Sequence, residues 1–170
     1  MELQSLLQSI HNTLLDKGAT LGVAESLTGG EISSLLTNTP GSSGYFLCGI
    51  CAYANSAKEK LLGVSASTLE KHGAVSRECA AEMLGGIIKA AGSDYGISTT
   101  GIAGPTGDTP TKPIGLVYIA VGSKDSFVCR EFKFTGKRMD VKNQAVYHAL
   151  DMLNDFLNAG NIQALSLLKS

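Results

Sequence analysis

A chain of 170 residues with 44% hydrophobic and 17% charged side chains can bury one continuous core without disulfide or metal staples, which excludes a disordered or fibrous protein. Its 14 basic and 15 acidic residues leave a net charge of −1, so no general positive field is available to hold nucleic acid, although a small anionic ligand stays possible. The start, Met1-Glu2-Leu3-Gln4, lacks a basic segment followed by an apolar run, and no stretch reaches the roughly 18 apolar residues of a membrane span. A cytoplasmic protein with no membrane partner is expected.

In chain order, Leu3, Leu6, Leu7, Ile10 and Leu14 recur at helical spacing up to a stop at Gly18. A short strand follows from Thr20 to Ala24. The turn Ser26-Leu27-Thr28-Gly29-Gly30 leads into a second helix, which runs to about Thr37 and is ended by Pro40 and Gly41. Tyr45 to Tyr53 reads as an apolar strand and Ser56 to Leu62 as a short helix. Ser76 is a fitting N-cap for a longer helix that carries Ala80, Met83, Leu84, Ile87, Ile88 and Ala91 on one face.

Gly96 to Thr99 reads as a buried strand, followed by a glycine-rich loop from Gly101 to Asp108. Two further strands, Gly115 to Val121 and Phe127 to Phe134, are joined around Gly122 to Ser126. A last long helix runs from about Met139 to Leu157. Residues 1–158 are expected to form the domain and 159–170 a tail, in which Ile162 to Leu168 can form one short helix. Strands alternating with helices, plus a late strand pair, predict an α/β fold, a three-layer α/β/α sandwich around a mixed β-sheet. Folds of this kind carry their chemistry at strand ends, here the turns after Ala24, Tyr53 and Thr99.

Cys48 and Cys51 have a redox-motif spacing, but they lie in a predicted strand, where residues three apart point to opposite faces. Ordinary reduced thiols are expected. His11, His72 and His148 are far apart and none has a second ligand at a metal-binding interval, so neither a metal nor another cofactor is expected.

Three separated stretches carry a family resemblance. They are Ala24-Glu25-Ser26-Leu27-Thr28-Gly29-Gly30, the run from Gly41-Ser42-Ser43 through Tyr53-Ala54-Asn55-Ser56-Ala57-Lys58, and Thr100-Gly101-Ile102-Ala103-Gly104-Pro105. Supported by Gly73-Ala74-Val75-Ser76, Lys112-Pro113-Ile114-Gly115 and Gly136-Lys137-Arg138, they resemble the CinA C-terminal domain family over about Gly18 to Leu153. The resemblance implies a nicotinamide-nucleotide amidohydrolase, which converts nicotinamide mononucleotide into nicotinic acid mononucleotide and ammonia. The implied small-molecule partner is that nucleotide, and a homo-oligomer, with a dimer favoured, is expected.

The resemblance also implies a serine nucleophile in the Gly-Ser-Ser stretch, assisted by a lysine and a tyrosine, which lands on Ser43, Lys58 and Tyr53. A lysine with a lowered pKa can take a serine proton, and burial or a cationic neighbour such as Arg138 would lower it. Read alone, Ser43 is a loop serine, Tyr53 a packing residue and Lys58 a solvated one.

For the substrate, Glu25, Ser26, Thr28, Gly29, Thr100, Gly101, Gly104 and Arg138 are candidate binding residues. Ser26 and Thr28 precede a helix and can either cap it or leave its amides to an anion, and Glu25 can meet a ribose hydroxyl or tie down the neighbouring loop. The glycines at 101, 104 and 107 allow an anion cradle or simply a sharp turn. Three departures stand out: Leu27 where the family often has cysteine, Lys142 where many members have a second arginine, and Thr109-Pro110-Thr111 in place of a glycine- and acid-containing loop. The rival readings are a nucleotide-binding regulatory module without hydrolysis, a partner subunit for a molybdopterin-binding-like domain, and a thiol-redox protein.

Overall fold

The computed structural model describes residues 1–159, so the short helix expected at Ile162 to Leu168 lies outside the described residues. The first helix, α1 (Leu3–Lys17), buries Leu6, Leu7, Ile10 and Leu14, and Gly18 ends it in the left-handed conformation. Next come β1 (Leu21–Glu25), α2 (Glu31–Thr37), a 3-10 turn at Ser42–Gly44, β2 (Phe46–Cys51) and α3 (Asn55–Leu62). A further helix absent from the sequence expectation, α4 (Ala66–Lys71), spans only six residues and starts where the Ser65 hydroxyl accepts the Thr68 amide at 3.1 Å. The remaining elements are α5 (Arg77–Ala91), β3 (Tyr95–Gly101), β4 (Leu116–Ser123), β5 (Phe127–Lys133) and α6 (Arg138–Asn158). Ser76 caps α5 as expected, its hydroxyl accepting the Cys79 amide at 3.1 Å.

The five strands form one mixed sheet in the order β2-β1-β3-β4-β5. β1 pairs in parallel with β2 and β3, while β3–β4 and β4–β5 are antiparallel. Helices α1, α2 and α6 cover one face through a core that includes Leu21, Val23, Ile97 and Val117, and α3, α4 and α5 cover the other. Among the described residues no helix is long and apolar enough to cross a membrane.

The two faces are built differently. Toward α6 the strands present branched side chains, whereas toward α5 they present Gly22, Ala24, Gly96, Ser98 and Ala120. A methyl group added at Gly22 would lie 3.0 Å from the Ile87 side chain, and one at Gly96 would lie 2.8 Å from Leu84 and Ile88. Helix α5 therefore sits against the backbone of the sheet. At its other flank Gly86 meets the carbonyl of Leu62, 1.9 Å from where a Cβ would stand.

β1 passes the chain to β2 over one face, and the chain returns from β2 to β3 over the other. The change of direction brings together the C-terminal ends of three parallel strands, where Glu25, Cys51 and Gly101 end β1, β2 and β3. In α/β sheets such a reversal opens a crevice in which ligands bind.

Candidate active site

At the end of β1 the chain must leave a fully buried strand and turn into α2 within the five residues Ser26 to Gly30. Gly29 and Gly30 make the turn with φ of 69° and 96°, a conformation that side chains disfavour. Glu25, fully buried, holds it in place. Its carboxylate accepts the amides of Gly30 at 3.0 Å, Ile32 at 3.2 Å and Ser33 at 2.9 Å, and the Ser33 hydroxyl at 2.7 Å. Of the two roles open to Glu25, the structure gives it that of a brace for the turn. Hydrogen bonds to a buried charge of this kind contribute about 1.5–3 kcal/mol each. Glu25→Ala is expected to lower unfolding free energy in a urea titration by about 3 kcal/mol or more, and an unchanged midpoint would refute the bracing role.

With the turn fixed, Ser26 is held at the end of β1, buried but lining a cavity, its amide donating to Thr99 O at 3.1 Å. Its hydroxyl lies 3.0 Å from Lys58 Nζ. Lys58, on α3, is 1% exposed and also reaches two backbone carbonyls, Ala52 at 2.8 Å and Tyr53 at 3.2 Å. Among the described residues it forms no ion pair. Burial lowers its pKa from 10.5, and the nearby Cys79 thiol works weakly in the opposite direction. Arg138 is not the cause of that shift; desolvation is.

A neutral lysine has two N–H donors and one lone pair. Here Nζ donates to all three oxygens as an ammonium would; once one proton is lost, the two carbonyls can keep the remaining N–H groups and turn the lone pair toward the serine hydroxyl. The pair can thus take a proton from Ser26 and return it later, the chemistry of a Ser-Lys nucleophile.

Around this pair lies a cavity of about 170 Å³, walled by Tyr53, Asn55, Ala74, Thr100, Ala103 and Arg138 among others. Thr100 donates its hydroxyl to Ala74 O at 2.6 Å, keeping oxygen lone pairs for a ligand. Arg138, the first residue of α6, donates to Gly104 O and to the Tyr53 hydroxyl, both at 2.8 Å. One turn along α6, the ammonium of Lys142 comes within 3.7 Å of where a side chain on Gly29 would begin. Of these two cations Arg138 lines the cavity and gives that end of it a preference for anions, with Lys142 nearby beside Gly29.

The Ser43, Tyr53 and Lys58 constellation does not form. Ser43 is exposed in the 3-10 turn before β2, and Lys58 comes after that strand. Six strand residues at about 3.3 Å each hold the two roughly 20 Å apart, so Lys58 meets Ser26 instead. Tyr53 is 60% exposed and steers the lysine with its carbonyl while its hydroxyl is held by Arg138.

Several binding expectations also change. Thr28 is fully buried, its hydroxyl paired with that of Thr99 at 2.9 Å, and Gly29 donates its amide to Ser26 O. The first amides of α2 serve Glu25, which removes them as an anion site. Gly104 contributes a carbonyl that anchors Arg138 rather than an amide for phosphate, whereas Gly101 and Thr100 do line the cavity. Asn55, Ala74 and Val75 also line the cavity; they lie in the stretches that carry the resemblance but are not among the expected binding residues. The four cysteines are free, and the Cys51 thiol is pushed up by burial and by Glu25, the opposite of a reactive redox thiol.

Comparison with known proteins adds to this geometry. The family model described as CinA C-terminal domain matches residues 3–157. A CinA-like protein of Kosmotoga olearia is 47% identical over 150 residues, covering 88% of this chain and 36% of its own length. A CinA-like protein of Thermotoga sp. strain RQ2 is 46% identical over 144 residues, 85% of this chain and 35% of its own. The chain thus spans about a third of the length of the curated relatives it matches. Among solved structures, the competence damage-inducible protein A of Klebsiella pneumoniae superposes with a TM-score of 0.89 at 32% identity, over 92% of this chain and 98% of that one. The competence/damage inducible protein CihA of Agrobacterium tumefaciens gives 0.86 at 34%, over 90% and 97%.

Proposed function

The chain belongs to the CinA C-terminal domain family, and from that premise we propose that it is an amidohydrolase that cleaves the carboxamide of nicotinamide mononucleotide with Ser26 as nucleophile and Lys58 as base. The observation that carries the reading is the buried Lys58 amine, aimed at the Ser26 hydroxyl by two backbone carbonyls. Burial lowers the pKa of this amine, so it gives up its proton more readily than a surface lysine does.

In this reading Ser26 Oγ adds to the amide carbonyl carbon as its proton passes to Lys58. The resulting ammonium returns that proton to the amide nitrogen, ammonia leaves, and a nicotinoyl ester remains on Ser26. Water then attacks the ester with Lys58 again as base, releasing the nicotinic acid mononucleotide and restoring the hydroxyl. Arg138 and Lys142 hold the phosphate, and Thr100 offers its oxygen to the pyridine amide or the ribose.

The test is ammonia release on incubation with nicotinamide mononucleotide. Turnover is expected to persist in the presence of a chelator, because Ser26 and Lys58 supply both nucleophile and base. Activity abolished by chelation and restored by zinc would refute the serine mechanism. Stabilisation of the fold by the nucleotide with no ammonia released would favour a binding module instead.

A further inference from the structure

We propose that Arg138 is a positioning residue that acts on the nucleophile through Tyr53, so that an anion bound at the guanidinium raises turnover at Ser26 and not affinity alone. The proposal deepens the amidase reading and rests on it. Tyr53 is held at two points with different consequences. Its hydroxyl accepts from Arg138 Nη2 at 2.8 Å, and its backbone carbonyl accepts from Lys58 Nζ at 3.2 Å, the longest of the lysine's three contacts. The ring is 60% exposed, so packing does little to fix the residue and the bond to Arg138 is its main restraint.

Arg138 is steadied in turn by the Gly104 carbonyl, which makes it a bridge between the loop after β3 and the segment after β2. Its guanidinium has five N–H donors, and these two bonds leave others for an oxyanion. With an anion in place the guanidinium is immobilised, Tyr53 is fixed, and both carbonyls keep the Lys58 lone pair on the Ser26 hydroxyl. Without it, Arg138 and the exposed tyrosine move together, and the weaker of the two carbonyl contacts is the one that loosens. A phosphate bound at the mouth of the cavity thereby contributes to the rate at its floor, a use of remote binding energy in the chemical step.

The experiment crosses two substrates with one substitution. For the wild type, kcat for nicotinamide mononucleotide is expected to exceed kcat for nicotinamide riboside by roughly tenfold or more. In Tyr53→Phe that kcat ratio should fall toward one while the difference in KM persists, because Arg138 still binds phosphate. Inorganic phosphate added in trans should raise riboside turnover in the wild type and leave Tyr53→Phe and Arg138→Ala unmoved. An undiminished kcat ratio in Tyr53→Phe, with a normal thermal unfolding midpoint, overturns the coupling.

A substrate-independent readout separates this from the amidase reading. Labelling of Ser26 by a sulfonyl fluoride should be faster with inorganic phosphate in the wild type and unchanged in Tyr53→Phe. Phosphate-stimulated labelling without ammonia from either amide would overturn the amidase reading alone. Unstimulated labelling alongside normal turnover would overturn the coupling alone.

Discussion

Ser26→Ala is expected to abolish ammonia release from nicotinamide mononucleotide, a loss on the order of 10⁴-fold or more, with nucleotide binding and the thermal unfolding midpoint close to wild type. The expectation follows from position. Ser26 is at the end of β1, and its hydroxyl faces the cavity 3.0 Å from the buried Lys58 amine. Ser43→Ala, in the exposed 3-10 turn at the far end of β2, should turn over like the wild type. Mass spectrometry of enzyme quenched during turnover should find the nicotinoyl adduct on the peptide that contains Ser26. An adduct on Ser43, or full activity in Ser26→Ala, would reverse the assignment.

Lys58→Met is expected to lower turnover to within about tenfold of Ser26→Ala, and the double variant should be scarcely worse than either, because the two act as one unit. Its effect on stability should run the other way. An amine whose pKa is lowered by burial binds its proton less well folded than unfolded, so the fold loses stability as pH falls from 10.5 toward the folded value. Methionine has no proton to bind, and the unfolding midpoint of Lys58→Met at neutral pH is expected to equal or exceed that of the wild type. The same sign governs activity: only the neutral amine is a base, so kcat/KM should rise with pH along a limb whose midpoint lies below 10.5. A profile flat from pH 6 upward, or a Lys58→Met enzyme that retains turnover, would remove the lysine from the mechanism.

Much of the fold was legible because its signals are local. The apolar stripe of α1 with its stop at Gly18, the Ser76 cap and the alternation of strands and helices all specify elements without reference to distant residues. α4 escaped because six residues carry too little periodicity, and only the Ser65-to-Thr68 cap marks it. The site was legible as a region, the turns after β1, β2 and β3, but its partners were misassigned. The reason was available in the sequence: the strand predicted from Tyr45 to Tyr53 lies between Ser43 and Lys58, and the two ends of one strand cannot meet. What no spacing could supply is which buried serine a lysine will find, since Ser26 is 32 residues away from Lys58. Glu25 likewise reads as a pocket acid until the four hydrogen bonds it accepts from the first turn of α2 are seen.

The glycine and alanine paving beneath α5 bears on how this cavity could change over evolution or in engineering. Ala74 and Val75 form its wall immediately before that helix, and α5 cannot slide while Ile87, Ile88 and Leu84 rest directly on the strands at Gly22 and Gly96. That side of the cavity is a fixed jaw. Ala103 also lines the cavity, and the chain runs on from it into the loop Gly104 to Ile114, whose residues 105–111 are all exposed and carry no core side chains. Apart from Gly107, whose φ of 101° disfavours a side chain, substitutions there meet no core packing, so new substrates should be acquired more readily by remodelling that loop beside the cavity than by changing the α5 side.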